Sequence, residues 1–249
     1  MSDTVFEICV DSVAGVRAAR AASADRVELC ADLLEGGITP SLGMILSARK
    51  IGDVGLHVMI RPRGGDFLYN EDEIATMEAD IASAKSVGAD GVVFGALVRD
   101  GRIDLALTER LVARARPASV TFHRAFDLTP DPAAALEMLI GIGVDRVLTS
   151  GQEPTAFEGA ERIAALVEQA AGRSVVMPGG GITAKNIARV LAVTGAGEVH
   201  FAGRAPITST MRFRRPDVYM GGELRPAEYE RLETTIESLV PVIAAARSA

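Results

Sequence analysis

Two cysteines follow glutamates at the same spacing in different parts of the chain. Cys9 stands two residues after Glu7, and Cys30 stands two residues after Glu28. Thiolates are soft ligands, and two of them can hold Cu(I). Two cysteines without further soft ligands nearby do not form a closed zinc site. The alternative is that both are small apolar core residues, because free cysteine is often buried.

A loop at 61–67 carries two arginines beside a glycine pair. Arg61 and Arg63 flank a proline and precede two glycines, whose backbone amides are open to close approach. Guanidinium groups bind carboxylates and phosphates in bidentate fashion, so this loop predicts an anion-binding site. The alternative is a tight turn braced by an ion pair between an arginine and Asp66.

A second segment suits proton transfer. His123 precedes Asp127 by four residues, and a histidine with a carboxylate partner can act as a general base. Together with Glu7 and Glu28, these two residues are the candidate catalytic groups. The alternative is that Asp127 only begins a turn.

Further polar and glycine-rich segments follow later apolar stretches. Ser150 offers a hydroxyl donor, Gly180 and Gly181 belong to a run of three glycines, and Arg204 follows another glycine. Loops after the last two strands of an α/β barrel often bind phosphate. We therefore include these four residues in the predicted anion-binding set, although tight turns alone would also explain the glycines.

These residues are spaced along a strand–helix repeat. Eight short β-rich stretches alternate with alanine-rich helical segments in 249 residues. Strict alternation predicts parallel strands, and eight units predict a single (β/α)₈ TIM barrel over 1–249, with an open doubly wound sheet as the alternative. The predicted strands are 5–10, 25–30, 56–61, 91–95, 119–123, 145–149, 174–177 and 198–202.

Alternation along these strands predicts a polar barrel interior. Apolar residues such as Phe6, Ile8 and Val10 should face the helices, because side chains alternate between the two faces of a strand. Burial of ionisable groups is unfavourable unless they pair or bind a ligand. The alternative to a functional site is a buried salt-bridge network. The predicted interior residues with ionisable or thiol groups include Glu7, Cys9, Glu28, Cys30, Arg61, His123 and His200.

The C-terminal part departs from the repeat. We expect a long loop at 204–225, acting as a lid or an interface, and a closing helix at 226–246. No run of about 18 apolar residues is present, so we expect no membrane span.

Composition excludes several partners. The net charge is −7, from 26 basic and 33 acidic residues, which argues against binding to nucleic acid or a membrane surface. Two cysteines and the absence of a signal-like N-terminal segment predict a cytoplasmic protein. No motif indicates an organic cofactor.

Several segments together resemble the CutC family. They comprise Glu7 and Cys9 with their spacing, and the stretches 24–30, 36–41, 59–67, 121–127 and 148–151. The resemblance runs from residue 5 to about residue 202. It implies a TIM-type barrel, a cytoplasmic homodimer or higher homo-oligomer, and a role in copper homeostasis, with Cys9 and Cys30 as Cu(I) ligands.

Two functional hypotheses remain open at this point. The first is a Cu(I)-binding protein of copper homeostasis. The second is an enzyme that acts on a small anionic metabolite by acid–base chemistry, with no physiological copper role. The second hypothesis accounts for Arg61, Arg63 and His123, whereas copper binding requires only the two cysteines. The resemblance favours the first.

Overall fold

The computed structural model describes residues 4–215 and 230–248 and confirms the TIM-barrel fold. Each predicted strand is present, and its ends lie within two residues of the prediction. The eight barrel strands are β1 (Val5–Val10), β2 (Arg26–Leu29), β3 (Gly55–Met59), β4 (Gly91–Phe94), β5 (Ser119–Phe122), β6 (Arg146–Thr149), β7 (Val175–Pro178) and β8 (Glu198–Phe201).

Helices connect successive strands and cover the outside of the barrel. Several begin at side-chain caps: the Ser12 hydroxyl accepts a hydrogen bond from the Gly15 amide, and Asn70 and Glu73 form a capping box. The connecting helices are α1 (Val13–Ala21), α2 (Leu42–Arg49), α3 (Glu71–Ser86), α4 (Leu105–Ala115), α5 (Pro132–Gly141), α6 (Ala160–Ala170) and α7 (Ile187–Thr194).

All eight barrel strands are parallel and follow each other around the sheet. β1 pairs with both β2 and β8, and the remaining strands follow in sequence order to β7. A parallel bridge between Gly179 and His200 brings the end of β7 to β8 and nearly closes the barrel. The carboxyl ends of the strands therefore meet at one mouth, where barrel enzymes place their ligands.

Two apolar clusters show which strand residues face inward. Phe6, Ile8 and Val10 belong to the large core between the sheet and the helices. Cys9, Cys30, Met59 and Val93 form a separate small cluster inside the barrel. The predicted alternation of faces is thus correct for these strands.

The C-terminal segment differs from the prediction. The predicted loop at 204–225 begins instead with strand β9 (Arg204–Thr208), which pairs antiparallel with β10 (Glu230–Thr234). The closing helix, α8, spans Ile236–Arg247 and not 226–246. Residues 216–229 lie outside the described residues.

Local hydrogen bonds explain where this helix begins. The Thr235 hydroxyl accepts from the Ser238 amide, and the Ser238 hydroxyl accepts from the Thr235 amide, so α8 starts at a capping box. Just before it, the Thr234 hydroxyl donates to the carbonyl oxygen of Cys9 over 3.5 Å. The hairpin therefore lies against the end of β1. Among the described residues, no helix combines the length and the apolar character needed to cross a membrane.

Candidate functional site at the barrel mouth

A cavity of about 130 Å³ lies at the barrel mouth. Its floor comes from inward-facing strand residues, and its rim comes from the loops that follow β2, β3 and β5. The lining residues are Cys9, Glu28, Gly36, Met59, Arg61, Phe67, His123, Arg124, Leu148 and His200.

The two cysteines lie together at this cavity. Cys9 is on β1, Cys30 directly follows β2, and their Sγ atoms are 3.9 Å apart. A disulfide bond requires about 2.05 Å, so both are free thiols. Cys30 is fully buried, whereas 8% of Cys9 is exposed and only Cys9 lines the cavity. Their contacts include Met59, which offers a third sulfur atom.

The surroundings of the cysteines make their pKa values differ. The hydrogen bond with Cys30 outweighs burial and, with His200, lowers the pKa of the Cys9 thiol to about 5. The same contact, together with burial, raises the pKa of Cys30 well above its usual value. At neutral pH the pair therefore carries one thiolate, on Cys9, and one thiol that donates to it.

Glu28 borders the cysteine pair. The Sγ of Cys30 lies 3.5 Å from Glu28 Oε2, and Cys9, Glu28 and Cys30 place one potential metal ligand each within 4.8 Å of one another. Burial and the negative charge of Cys9 raise the pKa of Glu28 well above its usual value. The Glu28 carboxyl therefore holds its proton more tightly than an exposed carboxyl does.

Glu7 lies beneath the cavity in a buried charge network. Its side chain is fully enclosed and accepts from Arg26 Nε at 2.5 Å and from His200 Nδ1 at 2.7 Å. Burial would raise the pKa of Glu7, but the hydrogen bond from His200 and the charge of Arg26 lower it overall. Arg26 also pairs with Glu198, whose Oε2 accepts from Arg146 Nε at 2.8 Å.

His200 connects this network to the cavity. Besides its bond to Glu7, its Nε2 lies 3.8 Å from Glu28 Oε2. Burial alone would lower the pKa of His200, but Glu28, Glu7 and the Cys9 sulfur raise it well above its usual value. His200 is thus a buried imidazolium that favours the thiolate of Cys9.

Arg61 reaches the cavity wall but binds no carboxylate of the described residues. Its Nη1 donates to the carbonyl oxygens of Glu35 at 2.7 Å and Gly37 at 3.0 Å, and its Nη2 donates to that of Gly65 at 2.7 Å. Its Nε is buried and has no hydrogen-bond partner in the part of the chain that the structure describes. Arg61 therefore holds in place the two loops that follow β2 and β3.

His123 stands on the same wall as a neutral imidazole. Burial and the nearby charge of Arg61 lower the pKa of His123 to about 3. Its Nδ1 accepts from the Ala125 amide at 3.2 Å, so the ring proton is on Nε2, and Nε2 has no partner among the described residues.

The predicted pairing of His123 with Asp127 is wrong. The Asp127 carboxylate accepts from Thr149 Oγ1 at 2.5 Å and from the Ser150 amide at 3.0 Å, and it forms an ion pair with Arg124 at 2.7 Å. These donors are closer to it in the fold than the imidazole, whose Nδ1 is satisfied by backbone. Asp127 therefore organises the loop after β6.

Most of the predicted anion-binding set also lies elsewhere. Arg63 braces its own loop, with Nε 2.5 Å from Glu73 and Nη2 3.1 Å from Asp66, so the turn interpretation holds for this residue. The Ser150 hydroxyl accepts from Arg124 Nη2 at 2.7 Å. Arg204 is part of β9. None of these three lines the cavity.

Gly180 and Gly181 are explained by backbone conformation. Gly180 and Gly181 have φ values of 104° and 68°, which favour glycine. A side chain on Gly181 would collide with Thr155, and the Gly180 carbonyl accepts from the Ala156 amide. Neither residue lines the cavity, so of the predicted anion-binding set only Arg61 does.

Three further residues of this region, Arg26, Phe67 and Arg124, are not among those predicted from the sequence. Arg26 has the same inward parity as Glu28 on β2, so alternation could have identified it as the partner of Glu7. Phe67 and Arg124 come from loops, where no periodicity indicates which side chains turn toward the mouth.

Sequence comparison places the chain among known relatives. Residues 4–205 match the CutC family. The chain is 51% identical over 232 residues to the copper homeostasis protein cutC homolog of Mus musculus, covering 93% of this chain and 85% of the relative. It is 50% identical over 244 residues to the Homo sapiens homolog of the same name, covering 98% of this chain and 89% of that protein.

Solved structures give a consistent result. The crystal structure of CutC from Streptococcus agalactiae is 35% identical and matches with a TM-score of 0.76, over 80% of this chain and 98% of that one. Thiamine phosphate pyrophosphorylase from Pyrococcus furiosus is 15% identical with a TM-score of 0.60, over 99% and 97% of the two chains, which reflects a shared fold alone.

Proposed function

The chain belongs to the CutC family, and on that premise we propose that it acts in copper homeostasis by binding Cu(I) through Cys9 and Cys30. The observation that carries the proposal is the separation of 3.9 Å between the two Sγ atoms. Metal–sulfur bonds near 2.3 Å, the length found for zinc, allow one ion to contact both sulfurs at this separation.

The donor set suits Cu(I) better than harder ions. Thiolate and thioether ligands select Cu(I), and Met59 belongs to the same small cluster as the two cysteines inside the barrel. Cys9 already favours the thiolate form, so binding requires the loss of one proton, from Cys30. Copper is the cargo of this site, and Cys9 is the ligand that the cavity exposes to it.

The same geometry favours copper binding over the acid–base enzyme. Glu7 is enclosed beneath the cavity, and Asp127 is bound within its loop, so only Glu28 and His123 of the four candidate catalytic residues line the cavity. Because both cysteines are free thiols, the proposal places the protein in a reducing compartment such as the cytoplasm.

Anaerobic competition with a Cu(I) chelator tests the proposal. The chain has only two cysteines, so the Cys9→Ser/Cys30→Ser protein is free of thiols. We expect each single serine variant to lose more affinity than the ~10–100-fold that changes around a metal site typically produce. Met59→Leu should weaken binding less, and Met138→Leu, at a partly exposed helix position, serves as the matched control. Equal Cu(I) affinity in the thiol-free protein would refute the assignment.

A further inference from the structure

Arg61 is a buried cation at the barrel mouth that forms no ion pair with a carboxylate of the described residues. Only 6% of this residue is exposed, and no carboxylate of the described chain lies within the 4.0 Å of an ion pair. Arg26, the other buried arginine of the described residues, differs, because it pairs with Glu7 and Glu198. A buried charge without a counter-charge is unfavourable, which points to an anion that the described residues do not supply.

A second donor without an acceptor lies beside it. His123 carries its ring proton on Nε2, which is buried and has no partner among the described residues. The Phe67 ring connects the two groups, since its centroid is 4.8 Å from that of His123 and 5.0 Å from Arg61 Cζ. Arg61 and His123 thus present a charged and a neutral N–H donor next to one another.

The cavity between these donors limits the size of its occupant. An engineered apolar cavity of about 150 Å³ accommodates benzene, so about 130 Å³ accommodates a molecule of roughly six non-hydrogen atoms. Phe67, Leu148 and Met59 add apolar wall to the two donors. Few polar groups on an apolar wall are typical of a small-molecule site.

We propose that this cavity binds a small organic anion, whose carboxylate or phosphate group accepts hydrogen bonds from Arg61 and His123 while its short carbon body packs on Phe67. Its two donors, Arg61 and His123, are not the proposed copper ligands, although Cys9 and Met59 line the same cavity. It does not depend on copper binding, and no reaction is assigned to it.

Histidine-selective ¹⁵N NMR on the full chain tests the proposal directly. The chain has three histidines, His57, His123 and His200, so their ring signals can be assigned by substitution. The probes are inorganic phosphate, lactate, and glycerol, a neutral molecule as large as lactate. We expect phosphate or lactate at millimolar concentration to shift the His123 Nε2 signal and glycerol to leave it unchanged. The anion that shifts it identifies the chemical group that the site prefers.

Variants separate this site from the metal site. Arg61→Gln should weaken anion binding by about tenfold or more, because a charge-assisted hydrogen bond is lost. Arg110→Gln, at a surface arginine that pairs with Glu78 away from the cavity, should not change it. Because Arg61 also holds two loops, His123→Asn provides a second test: its amide oxygen can replace Nδ1, and nothing replaces Nε2. It should also weaken anion binding by about tenfold. The thiol-free Cys9→Ser/Cys30→Ser protein should still bind the anion, because Arg61 and His123 supply its hydrogen bonds.

Three results would overturn the proposal. One is the absence of a His123 shift with both anions, and another is an equal shift with glycerol. The third is unchanged anion affinity in folded Arg61→Gln or in His123→Asn. Since anion binding is measured in the thiol-free protein as well, failure here leaves the copper assignment to be judged by its own experiment.

Discussion

Replacement of Glu7 by glutamine tests whether the buried charge network supports the barrel mouth. Glu7 is fully buried and accepts hydrogen bonds from Arg26 and His200, both charged. Glutamine has nearly the same shape, but its amide NH₂ must face one of these two donors. The substitution therefore removes the negative charge of Glu7. It also places the new amide N–H group against an N–H donor of Arg26 or His200.

The magnitude follows from the two contacts. Hydrogen bonds to charged groups contribute about 1.5–3 kcal/mol each, and removal of one partner from a buried ion pair typically destabilises by about 3–5 kcal/mol. Arg26 retains its pair with Glu198, which limits the loss. We therefore expect Glu7→Gln to lower the free energy of unfolding by about 3–5 kcal/mol, a large part of the 5–15 kcal/mol usual for a folded protein.

Equilibrium unfolding in urea measures this loss. With an m-value of about 3 kcal/mol/M, the urea midpoint should fall by about 1 M or more. Glu78→Gln provides the control, because Glu78 pairs with Arg110 at 2.5 Å on the surface, where an ion pair contributes little. We expect its midpoint to stay near that of the unmodified chain.

An unchanged midpoint for Glu7→Gln would contradict this reasoning. It would mean that the attraction between the buried charges only offsets the free energy that their desolvation costs, so that the network adds no net stability. A loss as large in Glu78→Gln would also contradict it, because the effect would then not depend on burial.

Three further predictions concern the cavity and the cysteines. Gly95→Ala should weaken anion binding, measured by NMR titration, because the added Cβ would lie 2.6 Å from the His123 ring; unchanged affinity would show that the ring need not stay in place. Gly37→Ala should destabilise the chain by about 1–2 kcal/mol at its positive φ and weaken Cu(I) binding in chelator competition, since its Cβ would lie 3.0 Å from Cys30 Sγ. The pKa of Cys9 is lowered from 9.0 to about 5, so its stabilising effect is complete above pH 9 and is lost as the pH falls through 5. Cys9→Ser should therefore remove stability at pH 9 but not at pH 5 in urea unfolding, and the same loss at both pH values would refute the thiolate assignment.

The barrel and its polar interior could be predicted from the sequence because both follow from periodicity. Alternation assigned Glu7, Cys9 and His200 to the inner face, and the structure buries all three inside the barrel. The spacing of Cys9 and Cys30 likewise indicated neighbouring strands, which the register of β1 and β2 confirms. These features depend only on local pattern and on parallel pairing.

The loop contacts could not be predicted in this way. Asp127 was assigned to His123 by sequence distance, but its oxygens accept from Thr149 and Ser150, which lie more than 20 residues further along the chain. Arg63 looked equivalent to Arg61, yet the former pairs with Glu73 and the latter with backbone carbonyls. Such choices depend on which donors and acceptors the fold brings together.

The C-terminal strand pair β9–β10 could not be predicted for a similar reason. β9 and β10 are separated by 21 residues, 209–229, and a strand whose partner is that distant carries little local signal. The capping box at Thr235 and Ser238 was present in the sequence and marks the true start of α8.

X-ray absorption at the copper K edge tests the central claim most directly, on the chain loaded with one equivalent of Cu(I) under anaerobic conditions. Binding by Cys9 and Cys30 predicts a copper environment of two sulfur neighbours, with a third where Met59 joins, and the loss of this signal in Cys9→Ser/Cys30→Ser. Copper coordinated mainly by nitrogen or oxygen, or a sulfur signal that persists in the thiol-free protein, would contradict it.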